Sequence, residues 1–474
     1  MLADFLKTAG KFDCLKSPQV LLLEELKYTP FHLIALILLI AAIIHTLCVD
    51  KIHHIARAVE AKQAPKRKTS HFLSRPHRSI GVHIIYFLAE VEIVFAIWVI
   101  PLFFVIAGFY GWGAAIEYIN TRDYTEALFV VIVLSLASTK PIIQCAQGII
   151  HFLARGLGGS LSAWWFTLLT VGPLLGSFIT EAGAMAISAV LLSKEFYHYR
   201  PSPKLAYATL ALLFTNISVG GVLTNFASPP VLVLSHAWHW SNLDVFATFG
   251  WKSILGILVA NTTYWLYFRK EFIHLNARKK SAKHIFDVPV KEINVPWWVV
   301  ALHLGFLGVI VLSSHYPAIF IAAYLFFIGM YQATKQYQRS LKLARPLLVG
   351  LFLAGLVVHG GLQGWWVVQM LENLSPIQVL GMAMSLTAFN DNTAIAYLAT
   401  LIPDWSEAYQ YALFTGVIAG GGLTVIANAP NPAGFVILSN HFGGSVSSWK
   451  LGLAALVPAA IFYLIFSLFG PLFI

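Results

Sequence analysis

A helical protein that crosses a membrane many times is the fold class this sequence predicts, and three observations carry the prediction. Of its 474 residues, 58% are hydrophobic and only 11% charged, against about a quarter charged in an average soluble domain. Nearly uncharged apolar runs recur from end to end, many of them long enough to cross roughly 30 Å of hydrocarbon. Lys and Arg gather in the connections between those runs, where they set topology. Too little polar surface is left to cover a soluble particle of this size. In a soluble chain the net charge of +10 would suggest a nucleic-acid partner. Its placement in loops argues instead for lipid as the partner.

Taken in order, the first run, 31–49, reads as a retained span, because no small-residue cleavage site follows it. Residues 51–79 hold eight Lys/Arg against one acid, Glu60, which assigns that loop to the cytoplasm. A long second span covers 80–108. The next connection, with Glu117, Arg122 and Asp123, is not basic and belongs outside. Span three, 126–149, returns inside toward Arg155. Residues 269–296 carry seven basic side chains against three acids, and 335–345 four against none, so both are cytoplasmic. Between them 297–313 runs out and 317–334 comes back. Cys14, Cys48 and Cys145 form no metal or disulfide pattern. No HExxH, GxSxG or paired aspartates on facing spans are present, so neither an enzyme nor a cofactor is expected.

Two stretches, 161–234 and 375–438, resist reading as simple spans. Both are apolar yet interrupted by Gly, Pro, Asn and isolated acids. Irregular backbone at membrane depth is tolerated only where it is buried in protein or lines a cavity. The two stretches also match. Phe214-Thr215, Gly220-Gly221, Leu223-Thr224, Ala227 and Pro230 recur 200 positions later as Phe414-Thr415, Gly420-Gly421, Leu423-Thr424, Ala427 and Pro430. Upstream, 180–186 aligns with 390–396 at a spacing of 210, which pairs Glu181 with Asp391. The alternative is two unrelated Gly-rich hinges. Lys194, Arg200 and Lys204 follow the first acid, whereas Asp404 and Glu407 follow the second. The two hairpins therefore enter from opposite sides, an inverted-topology repeat with its site near the midplane. The expected architecture is ten crossings plus two re-entrant hairpins with discontinuous helices, both termini outside. Its segments are N-terminal scaffold and basic loop (1–124), repeat one (125–268), basic linker and connecting helices (269–345) and repeat two (346–474).

Glu181 and Asp391 sit at equivalent hairpin tips in apolar surroundings. An ionisable side chain at that depth costs about 2.5–3.5 kcal/mol on insertion scales. Burial favours its neutral form and a bound cation its charged form, so one carboxylate can hold a proton or Na⁺ but not both. Thr180, Asn390 and Asn392 flank the acids. Asn216, Thr224, Asn225 and Ser228 fill the first break, and Thr415, Thr424 and Asn428 the second. Gly220, Gly221, Gly420, Gly421, Gly422, Pro230 and Pro430 are the hinges that free backbone carbonyls. The structural alternatives are helix-packing kinks for the glycines and a helix-capping acid for each carboxylate. Glu90 and Glu92 are expected to pair with scaffold bases, and Lys140 is a candidate salt-bridge partner that could neutralise Glu181. His151, His303 and His359 read as interfacial or packed.

The run 386–393, Leu-Thr-Ala-Phe-Asn-Asp-Asn-Thr, with a Gly-rich broken helix ending Ala427-Asn428-Ala429-Pro430-Asn431-Pro432, resembles the ion transporter superfamily. That group includes NhaD-like sodium/proton antiporters, arsenite pumps and divalent-anion/sodium symporters. The resemblance covers roughly 125–268 and 346–474 and is nearest to the Na⁺/H⁺ antiporter branch. It implies a scaffold, a mobile transport domain and a homodimer. Its carboxylate symporters carry Ser-Asn-Thr at each tip, whereas here the tips read Ile179-Thr180-Glu181 and Asn390-Asp391-Asn392. Two carboxylates would repel a dianion. The leading expectation is thus an inner-membrane antiporter exchanging Na⁺ for H⁺, with Na⁺ at Asp391, Asn392 and Thr424 and Asn428 as a further neutral ligand. The second is an anion transporter of the same fold, which would need a compensating cation such as Lys140.

Overall fold

The computed structural model describes residues 30–63, 79–281, 295–338, 340–341, 343–371, 374–403, 405–442 and 446–471. Cys14, the bulk of the first basic loop (64–78), the linker residues 282–294, Asp404 and both chain ends lie outside the described residues, so the expected side for each terminus goes untested. All regular structure among the described residues is helical. The chain begins with α1 (Pro30–Gln63), α2 (Ile80–Leu88), α3 (Val94–Tyr110), α4 (Trp112–Asn120), α5 (Thr125–Ala137) and α6 (Lys140–Gly156). Next come α7 (Leu161–Ile179), α8 (Glu181–Glu195), α9 (Pro203–Gly220), α10 (Pro229–Ala237) and α11 (Trp251–Tyr267), the last reached through the turn Asn242–Val245 and a π-helical Phe246–Gly250. After α12 (Arg269–Ser281), α13 (Trp297–Leu312) and α14 (Pro317–Ala333) comes the last part of the chain. It runs α15 (Ala344–Gly360), α16 (Gly364–Leu371), α17 (Pro376–Thr387), α18 (Asn392–Ala399), α19 (Glu407–Gly420), α20 (Asn431–Leu438) and α21 (Ser448–Leu468).

Helix ends follow local chemistry. Ser160 caps α7 by accepting from Ala163 N–H, and Ser202 caps α9 ahead of Pro203. Ser375 and Gln378 form a capping box at α17 with Pro376 in first position. Both α9 and α19 stop at a Gly pair, where helix propensity is poor. Prolines then restart the chain as α10 and α20, because a first-turn proline gives up no intrahelical bond.

Two expected single spans are broken. The second is interrupted at Ala89–Ile93, where a 3₁₀ turn carries Glu92 between α2 and α3. The third bends by 65° between α5 and α6 at Ser138-Thr139, ahead of Lys140-Pro141; Pro141 cannot continue the preceding helix without losing a hydrogen bond. Four segments, Pro30–Val49, α7, Asn242–Tyr267 and α21, are long and apolar enough to cross a membrane alone, and the bent pair makes a fifth. The ten expected crossings would require shorter apolar helices such as α3, α13, α14 and α15 to cross as well.

The core lies where the two broken stretches meet. Residues 208–222 and 411–423 are buried without interruption, as a helix apolar on all sides should be. Each hairpin packs on the helix that follows it, α7 on α9 and α17 on α19. Gly220 lies against the Pro173 backbone and Gly420 against that of Met384, so closely that a Cβ at either would stand under 3 Å away. Packing between the stretches is crossed: α10 covers α18, and α20 covers α8. Each carboxylate-bearing arm is thereby held by the other stretch.

Candidate functional site

Tip one is built on a strained residue. Thr180 has φ 70° and ψ 151°, a region that a β-branched side chain rarely enters. Its hydroxyl caps α8 by accepting from Gly183 N–H at 3.4 Å, and Glu181 becomes the first residue of that helix. With the cap filled by Thr180, the Glu181 carboxyl is free to reach sideways. Oε2 accepts from Asn428 Nδ2 at 2.9 Å, a bond from one stretch to the other. Ser228 stands beside the same carboxyl, and Oε1, next to Gly221, completes no hydrogen bond. Glu181 is 2% exposed, so that atom is an orphaned buried acceptor.

Tip two is relaxed. Asp391 is itself the N-cap of α18, with φ −61° and ψ 138°, and its Oδ1 accepts from Thr393 N–H at 2.8 Å. The Ala429 N–H adds a donor from the break, and Asn392 N–H donates to Ala427 O at 3.0 Å. Asn390 Oδ1 accepts from Asp391 N–H at 2.9 Å. Asp391 is as buried as Glu181, and the two carboxyls lie near enough to repel one another. Backbone donors at a helix start stabilise negative charge. The capping role held open above therefore fits Asp391 and not Glu181.

The breaks are fixed in parallel ways. Thr224 donates to Ser177 O at 2.7 Å and Thr424 to Ala388 O at 2.8 Å, each pinning its break to the end of the neighbouring hairpin arm. Asn431 Nδ2 bridges the carbonyls of Gly421 and Thr424. Gly421 backs onto Ser218 and the Asn392 amide, and Gly422 onto Thr215, contacts that any Cβ would violate. Pro230 and Pro430 stand at the restarts of α10 and α20.

Several expected ligands are engaged elsewhere. Asn428 binds Glu181, although it was expected to serve Asp391. Asn216 donates to Leu169 O and Asn261 Oδ1, Asn225 to Trp240 O, and Thr415 to Tyr411 O. Thr415 bonds back within its own helix, whereas the amides of Asn216 and Asn225 tie their stretch to other segments and Asn216 Oδ1 completes no bond. Ser177, Ser218 and Asn261 escaped the sequence reading; polar groups inside fully apolar helices were the available signal. Glu92, expected to pair with a scaffold base, meets the positive charge of Arg345 and the negative charge of Glu90, and its own charge acts on Asp391. Among the described residues, the buried orphans Glu181 Oε1 and Asn431 Oδ1 are acceptors bordering the breaks. Oxygen donors of this kind suit a hard monovalent cation.

The family described as "Putative Na+/H+ antiporter" matches residues 30–469. No curated protein matches the chain.

Proposed function

Since the chain belongs to this Na⁺/H⁺ antiporter family, we propose that it exchanges Na⁺ for H⁺ at the Glu181–Asp391 cluster by alternating access. Membership makes it a membrane transporter of the cation/proton antiport class; the site and the division of labour are our reading. Asp391, held by backbone donors, is the fixed negative charge that draws the cation into the protein. Glu181, whose partners are side chains, carries the proton. Na⁺ arriving between the tips favours the ionised Glu181 and expels its proton; loss of Na⁺ reverses the step. The Glu181–Asn428 bond is the observation that carries this assignment. It joins the proton-bearing acid of one stretch to the break of the other, so a change in charge at Glu181 is felt where the second stretch would move.

We read the matched stretches as inverted repeats of the ion-transporter type, each hairpin entering from one side of an inner membrane. The crossed packing of α8 with α20 and α10 with α18 supports that reading. The basic loops put 51–79 and 269–296 in the cytoplasm, and the protein would act as a homodimer. The anion alternative is the less favoured one, since two carboxyls at the tips would repel a dianion.

Everted vesicles with an interior-acid pH dye test the proposal. NaCl or LiCl should relieve the gradient, and Asp391→Asn should lower the response about 100-fold or more while the protein still inserts, since Asn caps a helix as well as Asp does. Normal exchange by Asp391→Asn removes this site from the mechanism. Uptake of a dicarboxylate or oxyanion, with no response to monovalent cations, removes the antiport reading.

A further inference from the structure

A cavity of about 320 Å³ lies between α5, α10, α15 and α18, and its wall includes Arg122, Asp123, Glu126, His236, Tyr397 and Thr400. The polar part of that wall is ordered. His236 Nδ1 is 2.6 Å from Glu126 Oε1, and His315 stacks on His236 with ring centres 5.7 Å apart. Arg122 is turned onto the ring of Tyr118, its guanidinium 4.6 Å from the centroid. A second, smaller space is lined by Phe95, Gly360, Asn390 and Ala394, and it reaches the residue next to Asp391. Tyr397 lines both spaces, the one residue they share. Its hydroxyl donates to Val357 O at 3.3 Å, and its ring lies so close on Gly360 that a methyl group there would collide with it.

Resting on the reading of tip two as the ion site, we propose that the larger cavity is the outward entrance for the transported cation and that Tyr397 is the gate closing it from Asp391. The connection bearing Arg122 and Asp123 was assigned to the outside on charge, which gives the entrance its side. Asp123 and Glu126 line the entrance together with Arg122 and His236, a charged wall in which Glu126 pairs with His236 and Arg122 is held against Tyr118. Tyr397 rides on the same short helix that Asp391 caps. Movement of that arm would shift the gate and the carboxylate together, as alternating access requires. Gly360 belongs to the device because any side chain there would collide with the Tyr397 ring.

Thiol labelling from a known side tests this without relying on transport. Cys14, Cys48 and Cys145 are replaced by Ser, and a single cysteine is placed by Thr400→Cys (larger cavity) or Ala394→Cys (smaller space). A membrane-impermeant maleimide is then added to intact cells. Thr400→Cys should label with Tyr397 present. Ala394→Cys should be protected and become about ten-fold faster or more when Tyr397→Ala removes the gate. Gly360→Ala, which must push the ring aside, should expose Ala394→Cys as well, and it decides the matter if Tyr397→Ala fails to insert. Tyr397→Phe keeps the ring and should keep the protection. Equal labelling of Ala394→Cys with and without the gate overturns the proposal, as does labelling of Thr400→Cys only in everted vesicles. Opening at Tyr397 in a chain that fails the Na⁺-dependent dye assay sinks the antiport reading and leaves the passage; protection unchanged in a chain that exchanges Na⁺ sinks the gate alone.

Discussion

The two hairpin tips occupy matching places in the sequence and solve the same problem differently. Both bury an acid at the start of a helix, Glu181 for α8 and Asp391 for α18. At tip two the acid is the cap, so its oxygens are taken by nearby backbone N–H groups and the chain stays relaxed. At tip one Thr180 takes over the cap, at the cost of a strained backbone, and the acid moves one position into the helix. One residue of displacement turns a self-satisfied carboxylate into one that must find partners across the molecule. On the proposed reading the locally bound acid is the fixed charge and the acid bound by side chains carries the proton.

The largest expected effect would break that comparison outright. Glu181→Gln should abolish Na⁺-driven proton release, a loss of about 100-fold or more, yet leave Na⁺ able to raise thermal stability, because Asp391 still attracts it. Asp391→Asn should lose both responses. If the two variants behave alike, the tips do not divide the work. Next in size, Asn428→Ala removes the donor to Glu181 Oε2. It should raise the Na⁺ needed for half-maximal dequenching about ten-fold, in line with a charge-assisted hydrogen bond lost from a buried acid. Asn225→Ala, whose amide serves Trp240, should change it less than about two-fold. The smallest effect sharpens the contrast in backbone. Thr180→Gly should stabilise the protein by about 1 kcal/mol in detergent melts, strain relief exceeding the few tenths lost with the cap. Asn390→Gly at the relaxed tip should destabilise it, since it loses the acceptor for Asp391 N–H. A destabilised Thr180→Gly would mean that the strain at tip one is not where the backbone places it.

Much of the plan was legible in residue order. The interrupted stretches, the doubled Gly pairs and the matched acids were visible because solvent and helix propensity act locally: lipid offers no partners to backbone groups, and glycine and proline end helices wherever they stand. The local rules missed the break at Ala89–Ile93, because no proline or glycine marks it and the run 80–108 is apolar enough to pass for one helix. They also gave no sign that Asn428 reaches Glu181, since the two breaks looked self-contained and the crossed packing of α8 with α20 depends on contacts about 250 residues apart.

By itself, the sequence determined the solvent in which this chain lives, the places where its helices must stop, and which two acids would be buried at equivalent positions. Those features follow from hydrophobicity, charge and backbone chemistry read a few residues at a time. Only the tertiary structure decided that Asp391 caps its own helix while Glu181 reaches across to Asn428, and that Tyr397 lines two cavities. Partners of buried polar groups are set by which helices pack together, and that packing is a property of the whole chain.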